Sequence, residues 1–295
     1  MIINIYTSLN GVGLEQDANI LKGILSKHTC YILDYIKRQR CFTNGDYALH
    51  LEIPRYDEIE KNRVNILIPN AEWFDPKWLP KIKQFDMVFC KTFHAVEVFK
   101  KFHPNCIYTG FTSQDIYDES IIKDKQLVHI EGKSMLKNTD NLISAYQLRP
   151  DLPKCFSLSS RHTGKFNNLE FAERQPFDKL KILLNACIIH LCPSMYEGFG
   201  HYINEARSTG AVILTTDRPP MNEFITDKRF LVEGRRARVH NLVPLFKVNP
   251  IDLSNKIQAV FNMDFEELRQ IGIENRKKYL QLDTFFKDKL LKFVK

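Results

Sequence analysis

The sequence contains no apolar run of the roughly 18 to 20 residues that a membrane-spanning helix needs. Its opening apolar stretch, 2–6, is too short and too polar for the hydrophobic part of a secretory signal. The 7 cysteines form no C-x-x-C pair, and several lie inside apolar runs, which favours reduced core cysteines over disulfide bonds or zinc ligands. We therefore expect a cytoplasmic protein without a structural metal.

A large excess of charge of one sign is also lacking. The 295 residues carry a net charge of +7, with 44% hydrophobic and 26% charged residues, which predicts a globular protein long enough for two domains. The densest basic stretches, 235–238 and 276–278, are short, which favours solvated faces. A long basic and aromatic surface pattern is missing, so nucleic acid is not an expected partner, whereas peripheral contact with an anionic membrane stays open.

The most informative segment, 192–206, places two carboxylates around a glycine-rich turn. Glu197 precedes the turn Gly198-Phe199-Gly200, and Glu205 follows it. The apolar run 188–192 predicts a short buried strand before the turn, and the glycines let the backbone enter a helix whose first N–H groups are unpaired. Because such a helix start binds anions, the segment suggests a site for a phosphorylated sugar, with its phosphate on N–H groups and its hydroxyls on the carboxylates.

These residues resemble the E-x7-E motif of retaining glycosyltransferases of family four, which have the two-domain GT-B fold. Here the motif runs from Glu197 to Glu205, and the resemblance continues through 210–217 and 219–223, which are similar to the next strand and loop of that family. It implies an α/β protein of two Rossmann-like domains that face each other across a cleft, with a C-terminal helix that crosses back to the N-terminal domain.

The first half of the chain alternates apolar runs with helical patterns, which is typical of a parallel sheet with crossover helices. We predict helices near 76–84 and 94–103 and strands at 2–6, 31–33, 48–51, 64–68, 87–90 and 106–108. A polar stretch precedes a new strand at 126–130, so a domain boundary is predicted near residue 120.

Apolar residues at spacings of three and four predict an amphipathic helix at 276–295. The resemblance assigns this helix to the N-terminal domain. It thus implies an acceptor-side domain of residues 1–120 together with 276–295, and a nucleotide-sugar-binding domain of residues 121–275.

Gly11 and Gly13 form a turn between the first strand and a predicted helix, where a ligand phosphate or hydroxyl can approach. Tight turns also use glycine without any ligand, so both interpretations stay open. In the family, a glycine-rich first loop faces the cleft, and this resemblance favours donor binding at both glycines.

Two lysines follow the predicted strand 126–130, at the end of the sheet where open α/β proteins bind ligands. Lys133 and Lys137 can neutralise a leaving diphosphate, and they resemble the family's Gly-Arg followed by Lys-Gly, with Lys133 in the place of the arginine. Lysine lacks the bidentate fork of arginine, which leaves the role of Lys133 less defined. Surface lysines at the start of a helix are the alternative.

The resemblance further implies that Glu197 binds hydroxyls of the donor sugar and Glu205 the ribose. No Asp-x-Asp occurs in the chain, which agrees with a retaining mechanism that needs neither a metal nor another cofactor. Many relatives carry a cleft histidine where this chain has 68–73. Asn70 or Glu72 are candidates to replace it, although a simple turn beside Pro69 is an equal alternative, and His94 is a further candidate.

The sequence therefore predicts a metal-independent retaining glycosyltransferase. Its partners would be a nucleoside-diphosphate sugar and a glycan or other hydroxyl acceptor. One alternative is a protein of the same fold that only binds a nucleotide or glycan. A nucleic-acid-modifying sugar transferase is a weaker alternative, and a phosphorylase with a pyridoxal cofactor is disfavoured because the chain is much shorter than those enzymes.

Overall fold

A computed structural model describes residues 1–11 and 13–294, and it divides the chain into two compact units. Unit 1 consists of Met1–Gln114, Val239–Val243 and Leu282–Lys295, and unit 2 of Asp115–Arg238 and Pro244–Gln281. The division thus follows Gln114, whereas the sequence analysis placed it near residue 120. The segment Val239–Val243, which we did not assign to the first domain, belongs to unit 1 as well.

Unit 1 is built on a six-stranded, entirely parallel sheet. Its strands are β1 (Ile2–Thr7), β2 (Thr29–Asp34), β3 (Gly45–Leu51), β4 (Asn62–Ile68), β5 (Met87–Cys90) and β6 (Cys106–Tyr108), in the order β2-β1-β3-β4-β5-β6. Both faces of such a sheet are covered, so the central strands are almost continuously buried, including polar side chains such as Asn4 and His50. All six strands predicted for this part of the chain are confirmed.

The helices of unit 1 differ in part from the sequence prediction. They are α1 (Gly13–Ile24), α2 (Phe93–Phe99) and two 3-10 helices, Tyr56–Lys61 and Pro76–Gln84. The segment 76–84 therefore forms a 3-10 helix, which includes Pro80. The predicted helix 94–103 was too long, because the chain turns after Phe99 and Pro104 disfavours a helical conformation of the residue before it.

Unit 2 contains a seven-stranded sheet, and a separate two-stranded ribbon has most of its residues in unit 2 but its connecting residues, Val239–Val243, in unit 1. The strands of the sheet are β7 (Asp124–Gly132), β8 (Cys155–Ser159), β9 (Gly164–Phe166), β10 (Leu169–Ala172), β11 (Cys187–Cys192), β12 (Val212–Thr216) and β13 (Leu231–Val232), in the order β13-β12-β11-β7-β8-β10-β9. Only β9 pairs antiparallel. The ribbon, β14 (Gly234–His240) and β15 (Val243–Val248), carries the basic stretch 235–238 on an exposed strand.

The helices after unit 2 begins are α3 (Thr139–Leu148), α4 (Phe177–Ala186), α5 (His201–Ser208), α6 (Met221–Phe224), α7 (Pro250–Phe261) and α8 (Phe265–Phe293), with a 3-10 turn at Lys228–Phe230. Among residues 1–11 and 13–294, none of the helices combines the length and the apolar character that a bilayer crossing requires.

Helix α8 starts at Phe265, earlier than the predicted residue 276, and its residues from Leu282 onward belong to unit 1. There, Phe286 packs against Phe111 with ring centroids 4.6 Å apart, and Phe293 packs against Phe89 at 4.9 Å. These buried aromatic contacts fix the end of the helix on the sheet of unit 1.

The earlier part of α8 packs backbone to backbone in unit 2. A Cβ atom added at Gly272 would collide with the carbonyl oxygen of Gly210, and Gly210 itself has a φ of +70°. This close approach explains why a glycine interrupts the otherwise regular helical pattern of α8.

We predict that Gly272→Ala lowers the free energy of unfolding by about 1 to 3 kcal/mol, the usual cost of overpacking a close contact. Gly23→Ala is the control, because Gly23 lies in α1 with no atom within 4 Å of its added Cβ, and alanine there should be neutral or slightly stabilising. Urea denaturation followed by circular dichroism measures both effects. Equal effects of the two changes would show that the backbone at Gly210 can move to make room for the added Cβ atom.

Candidate active site

The loops after two neighbouring strands of unit 2 bring opposite charges together. Strands β7 and β11 are paired and parallel, so the loops at their carboxyl ends lie side by side. Lys137, from the loop after β7, places its Nζ 2.5 Å from Oε1 of Glu197, from the loop after β11. The side chains are only 13% and 12% exposed, so the ion pair sits at the border between core and solvent.

Two further side chains hold this ion pair. The hydroxyl of Ser194 donates a hydrogen bond to the same carboxylate oxygen of Glu197. The ring of Tyr202 lies under Lys137, with Nζ 3.9 Å from the ring centroid, which is a cation–π contact. Burial raises the pKa of Tyr202 far above its ordinary value, so the ring remains a neutral phenol.

The turn between Glu197 and α5 depends on glycine. Gly200 caps the helix with a φ of +82°, and a Cβ there would lie 3.3 Å from Cγ of Glu197. Phe199 is 3% exposed and packs edge-on against Phe224 with centroids 5.5 Å apart. The Phe199 side chain thus belongs to the core, and only the backbone of Gly198-Phe199-Gly200 can contact a ligand.

Glu205 lies one helical turn after Tyr202 on α5. Both residues line a cavity of about 290 Å³, whose other walls are mainly apolar side chains from β7, α4 and β11. Ile130, Leu180 and Cys192 are among them. Part of this volume is open to solvent, and the enclosed part has room for about one water molecule, so it does not hold a nucleoside as it stands; it combines one carboxylate with an apolar wall.

His129 forms the floor of the site, a role that the sequence analysis missed. Its Nδ1 lies 2.8 Å from the carbonyl oxygen of Leu191, and its Nε2 lies 3.0 Å from the hydroxyl of Thr139. Burial lowers the pKa of His129 to about 4, so the ring is neutral; Nδ1 donates to the carbonyl and Nε2 accepts from the hydroxyl. The ring therefore ties β7 to β11 and to the start of α3.

A buried carboxylate organises the neighbouring loop after β8. Glu131 is 2% exposed, and it accepts hydrogen bonds from the hydroxyl of Ser159 and from Nδ1 of His162 at 2.9 Å. Burial by itself raises the pKa of Glu131, but these hydrogen bonds outweigh it and hold the pKa below the ordinary value. His162 also reaches Asp140 at 3.2 Å, so it connects the loop to α3.

Lys133 is not part of the same arrangement. It is exposed, and within the described residues its side chain makes no hydrogen bond or ion pair. The two lysines of the predicted diphosphate site thus differ: Lys137 is fixed by Glu197 and Tyr202, whereas Lys133 is free to move.

The remaining predicted residues lie in unit 1. Gly11 has a φ of +71° and donates its N–H to the Glu15 carboxylate at 3.0 Å, and Gly13 opens α1; Val12 between them is outside the described residues. Nothing approaches within 4 Å of a Cβ built on Gly11, so the space beside this turn is open.

Asn70 and Glu72 occupy a fixed turn after β4. The amide of Asn70 donates to the carboxylate of Glu52 at 2.8 Å, and the backbone carbonyl of Glu72 accepts from the side chain of Asn241 at 2.7 Å. Glu72 is only 5% exposed. His94, in the first turn of α2, is also mostly buried, and burial lowers its pKa.

No group of three or more histidine, cysteine, aspartate or glutamate residues that could hold a metal ion occurs in the part of the chain that the structure describes. All seven cysteines are free thiols.

Comparison with known proteins identifies the class. The structure resembles a glycosyltransferase from Rickettsia africae at 12% identity and a TM-score of 0.75, over 99% of this chain and 97% of the other. It also resembles HepE from Anabaena, solved with UDP-glucose, at 13% identity and a TM-score of 0.71, over 100% of this chain and 99% of HepE. A third similar structure is sucrose-phosphate synthase from Thermosynechococcus elongatus, at 11% identity and a TM-score of 0.68, over 99% of this chain and 97% of the other. No curated protein matches the chain in sequence.

These similarities, together with the two mainly parallel sheets, confirm the predicted GT-B fold class. The model of the family "Glycosyl transferases group 1" matches residues 123–279. The chain belongs to this family.

Proposed function

We propose that this glycosyltransferase moves a sugar from a nucleoside-diphosphate sugar to a hydroxyl acceptor, with retention of configuration and without a metal ion. The observation that carries the proposal is the half-buried ion pair between Lys137 and Glu197, at the carboxyl edge of the sheet that the family model covers. HepE, a structural neighbour, was solved with UDP-glucose and with UDP and glucose, which supports a nucleotide sugar as the donor.

The ion pair supplies the two kinds of group that such a donor needs. A diphosphate requires a cation, and the hydroxyls of a sugar require acceptors. When the donor binds, its diphosphate takes over Lys137, and hydroxyls of its sugar donate to the Glu197 carboxylate. Each charged group then exchanges one partner for another, so neither is left unpaired near the core.

The diphosphate gains negative charge as the sugar leaves, and groups that are already in position stabilise this charge best. Lys137 is held against the Tyr202 ring and cannot swing freely into solvent. The backbone N–H groups at the start of α5 lie directly after the turn Gly198-Phe199-Gly200, and they add the partial positive charge of a helix N-terminus. In this proposal, the lysine and the helix together replace a divalent metal.

Glu205 is assigned to the ribose of the nucleotide. Its carboxylate, one helical turn beyond Tyr202, is an acceptor for the two hydroxyl donors that a ribose offers. Retention and the location in the cytoplasm follow from the resemblance and the composition, and they are part of the proposal.

A second candidate is a protein of this family that binds a nucleotide or glycan without transfer. The observation that favours it is the turn after β4, which carries Asn70 and Glu72 where many relatives carry a cleft histidine. Turnover of a bound nucleotide sugar separates the two candidates.

A panel of nucleotide sugars tests the proposal directly. At 100 times its Kd, the true donor should stabilise the chain by about 2.7 kcal/mol, which a thermal melt detects. Release of nucleoside diphosphate from that donor, with saccharides or water as acceptors, should persist in excess EDTA. Binding without turnover would favour the second candidate, and loss of turnover that magnesium or manganese restores would overturn the metal-free mechanism.

Lys137→Ala should lower kcat by about 100-fold to 1000-fold, by comparison with the loss of a preorganised oxyanion-hole donor. The free energy of unfolding should fall by about 1 to 3 kcal/mol, less than the effect on kcat, because the mostly buried Glu197 carboxylate loses one partner but still accepts from Ser194. Lys179→Ala, which removes an exposed lysine of α4, is the matched control and should leave both quantities unchanged. Unaltered kinetics of the Lys137 variant would remove this residue from the site.

Glu197→Gln and Glu205→Gln should have different effects on binding. Glu205→Gln should weaken the binding of free nucleoside diphosphate by about 1.5 to 3 kcal/mol, the value of a hydrogen bond to a charged group. Glu197→Gln should leave this binding intact or slightly tighter, since it releases Lys137, while sugar transfer falls.

Isothermal titration calorimetry with the nucleoside diphosphate and with the intact nucleotide sugar measures these effects. Both changes conserve size, so differences in packing stay small. An equal loss of nucleoside diphosphate affinity in the two variants would mean that the carboxylates do not divide sugar and ribose between them.

A further inference from the structure

Unit 1 carries a second group of polar side chains at the carboxyl edge of its sheet. The strand order β2-β1-β3-β4-β5-β6 reverses direction between β1 and β3, and open α/β sheets bind ligands outside the carboxyl ends of the strands at this reversal. Glu52 follows β3 directly, and Asn70 and Lys91 follow the next two strands. The sequence analysis selected Asn70 alone.

Glu52 adopts an unusual backbone conformation. Its φ is +61°, in the left-handed region that glycine, asparagine and aspartate tolerate but glutamate rarely enters. Its N–H donates to the carbonyl of Ile68 at 3.0 Å, which holds the residue between β3 and β4. Such strain persists only where the surroundings fix it, and it is concentrated at functional sites.

The side-chain amide of Asn70 lies beside the Glu52 carboxylate. Its NH₂ group donates to Oε2 of Glu52 at 2.8 Å, and its carbonyl oxygen, Oδ1, is a buried atom that has no hydrogen-bond partner among residues 1–11 and 13–294. A buried acceptor without a partner is costly, and a ligand that donates a hydrogen bond would remove this cost. The carboxylate and the amide carbonyl are both acceptors, so the missing partner is a donor.

The nearby cation is already neutralised. Lys91 lies 2.5 Å from Asp17, both side chains are about 2% exposed, and the Phe111 ring lies 4.6 Å from the ammonium group. A phosphate at this edge would therefore meet the Glu52 carboxylate without a free positive charge from Lys91 to balance it. A neutral ligand with several hydroxyl groups fits the lining better.

We propose that Glu52 and Asn70 form a saccharide subsite in unit 1, in which hydroxyls of a neutral sugar donate to the Glu52 carboxylate and to Oδ1 of Asn70. The assignment of this sugar as the acceptor of the transfer rests on the function proposed above, whereas its binding can be measured alone. Glu52 is strained because this conformation is needed to hold its carboxylate beside the Asn70 amide.

Saturation-transfer NMR with the methyl glycosides of glucose, galactose, mannose and N-acetylglucosamine tests the subsite on the full chain. Glucose 6-phosphate serves as the anionic probe. We expect at least one methyl glycoside to bind the wild type, and its affinity to fall about 10-fold to 100-fold in Glu52→Gly and in Asn70→Ala. Glu60→Ala, which removes an exposed acid of unit 1, should bind like the wild type.

The choice of glycine separates loss of function from loss of folding. Because glycine accepts a positive φ without strain, Glu52→Gly should melt at or above the temperature of the wild type. Absence of binding by every methyl glycoside, equal binding by the Glu52→Gly variant, or tighter binding of glucose 6-phosphate than of any neutral sugar would overturn the proposal.

Calorimetry with nucleoside diphosphates on the same variants keeps this test distinct from that of the proposed function. If glycosides bind through Glu52 but no nucleotide binds, the subsite stands and the proposed function fails. If transfer is intact and Glu52→Gly changes neither glycoside affinity nor the KM for the acceptor, the proposed function stands and the subsite fails.

Discussion

The parallel direction of the strands is the constraint on which every polar site of this protein depends. Parallel strands end on one edge of a sheet, so the loops that follow neighbouring strands meet whatever their separation in sequence. In unit 2 this constraint brings Lys137 to Glu197, and in unit 1 it brings Asn70 to Glu52. The apolar runs that form the strands therefore decide which side chains meet, although none of those side chains belongs to the strands.

Burial separates two ion pairs that share the same chemistry. Lys91 and Asp17 are each about 2% exposed, and breaking such a buried pair leaves an uncompensated charge that costs about 3 to 5 kcal/mol. Lys137 and Glu197 are 13% and 12% exposed. In our proposal, the anion of a ligand takes the place of Glu197 beside Lys137, and its hydroxyls take the place of Lys137 beside Glu197. The first pair is thus a fixed part of the core of unit 1, and the second is the one that our proposal opens to a ligand.

The sequence predicted the strands well, because buried parallel strands are short continuous apolar runs between turns. It also predicted the loops that carry Lys137 and Glu197. It left the role of Lys133 less defined than that of Lys137, but it could not show the contacts with Glu197 and Tyr202 that separate the two lysines. It missed Glu52, whose left-handed conformation leaves no mark in the residue pattern. Helix α2 was predicted too long because the apolar spacing continues through Phe102, after the helix has ended, and α8 was predicted to start too late because Gly272 interrupts its apolar pattern.

The spacing between Glu197 and Glu205 has a physical origin in this structure. Three residues form a turn that ends with Gly200 at a φ of +82°, and α5 begins directly after it. Glu205 then lies one helical turn beyond Tyr202, and both line the same cavity, while Tyr202 also supports the Lys137 ammonium group. A shorter or longer turn would rotate α5 and separate the cavity from the ion pair, so the distance between the two glutamates in sequence sets the distance in space between the two binding roles that we propose for them.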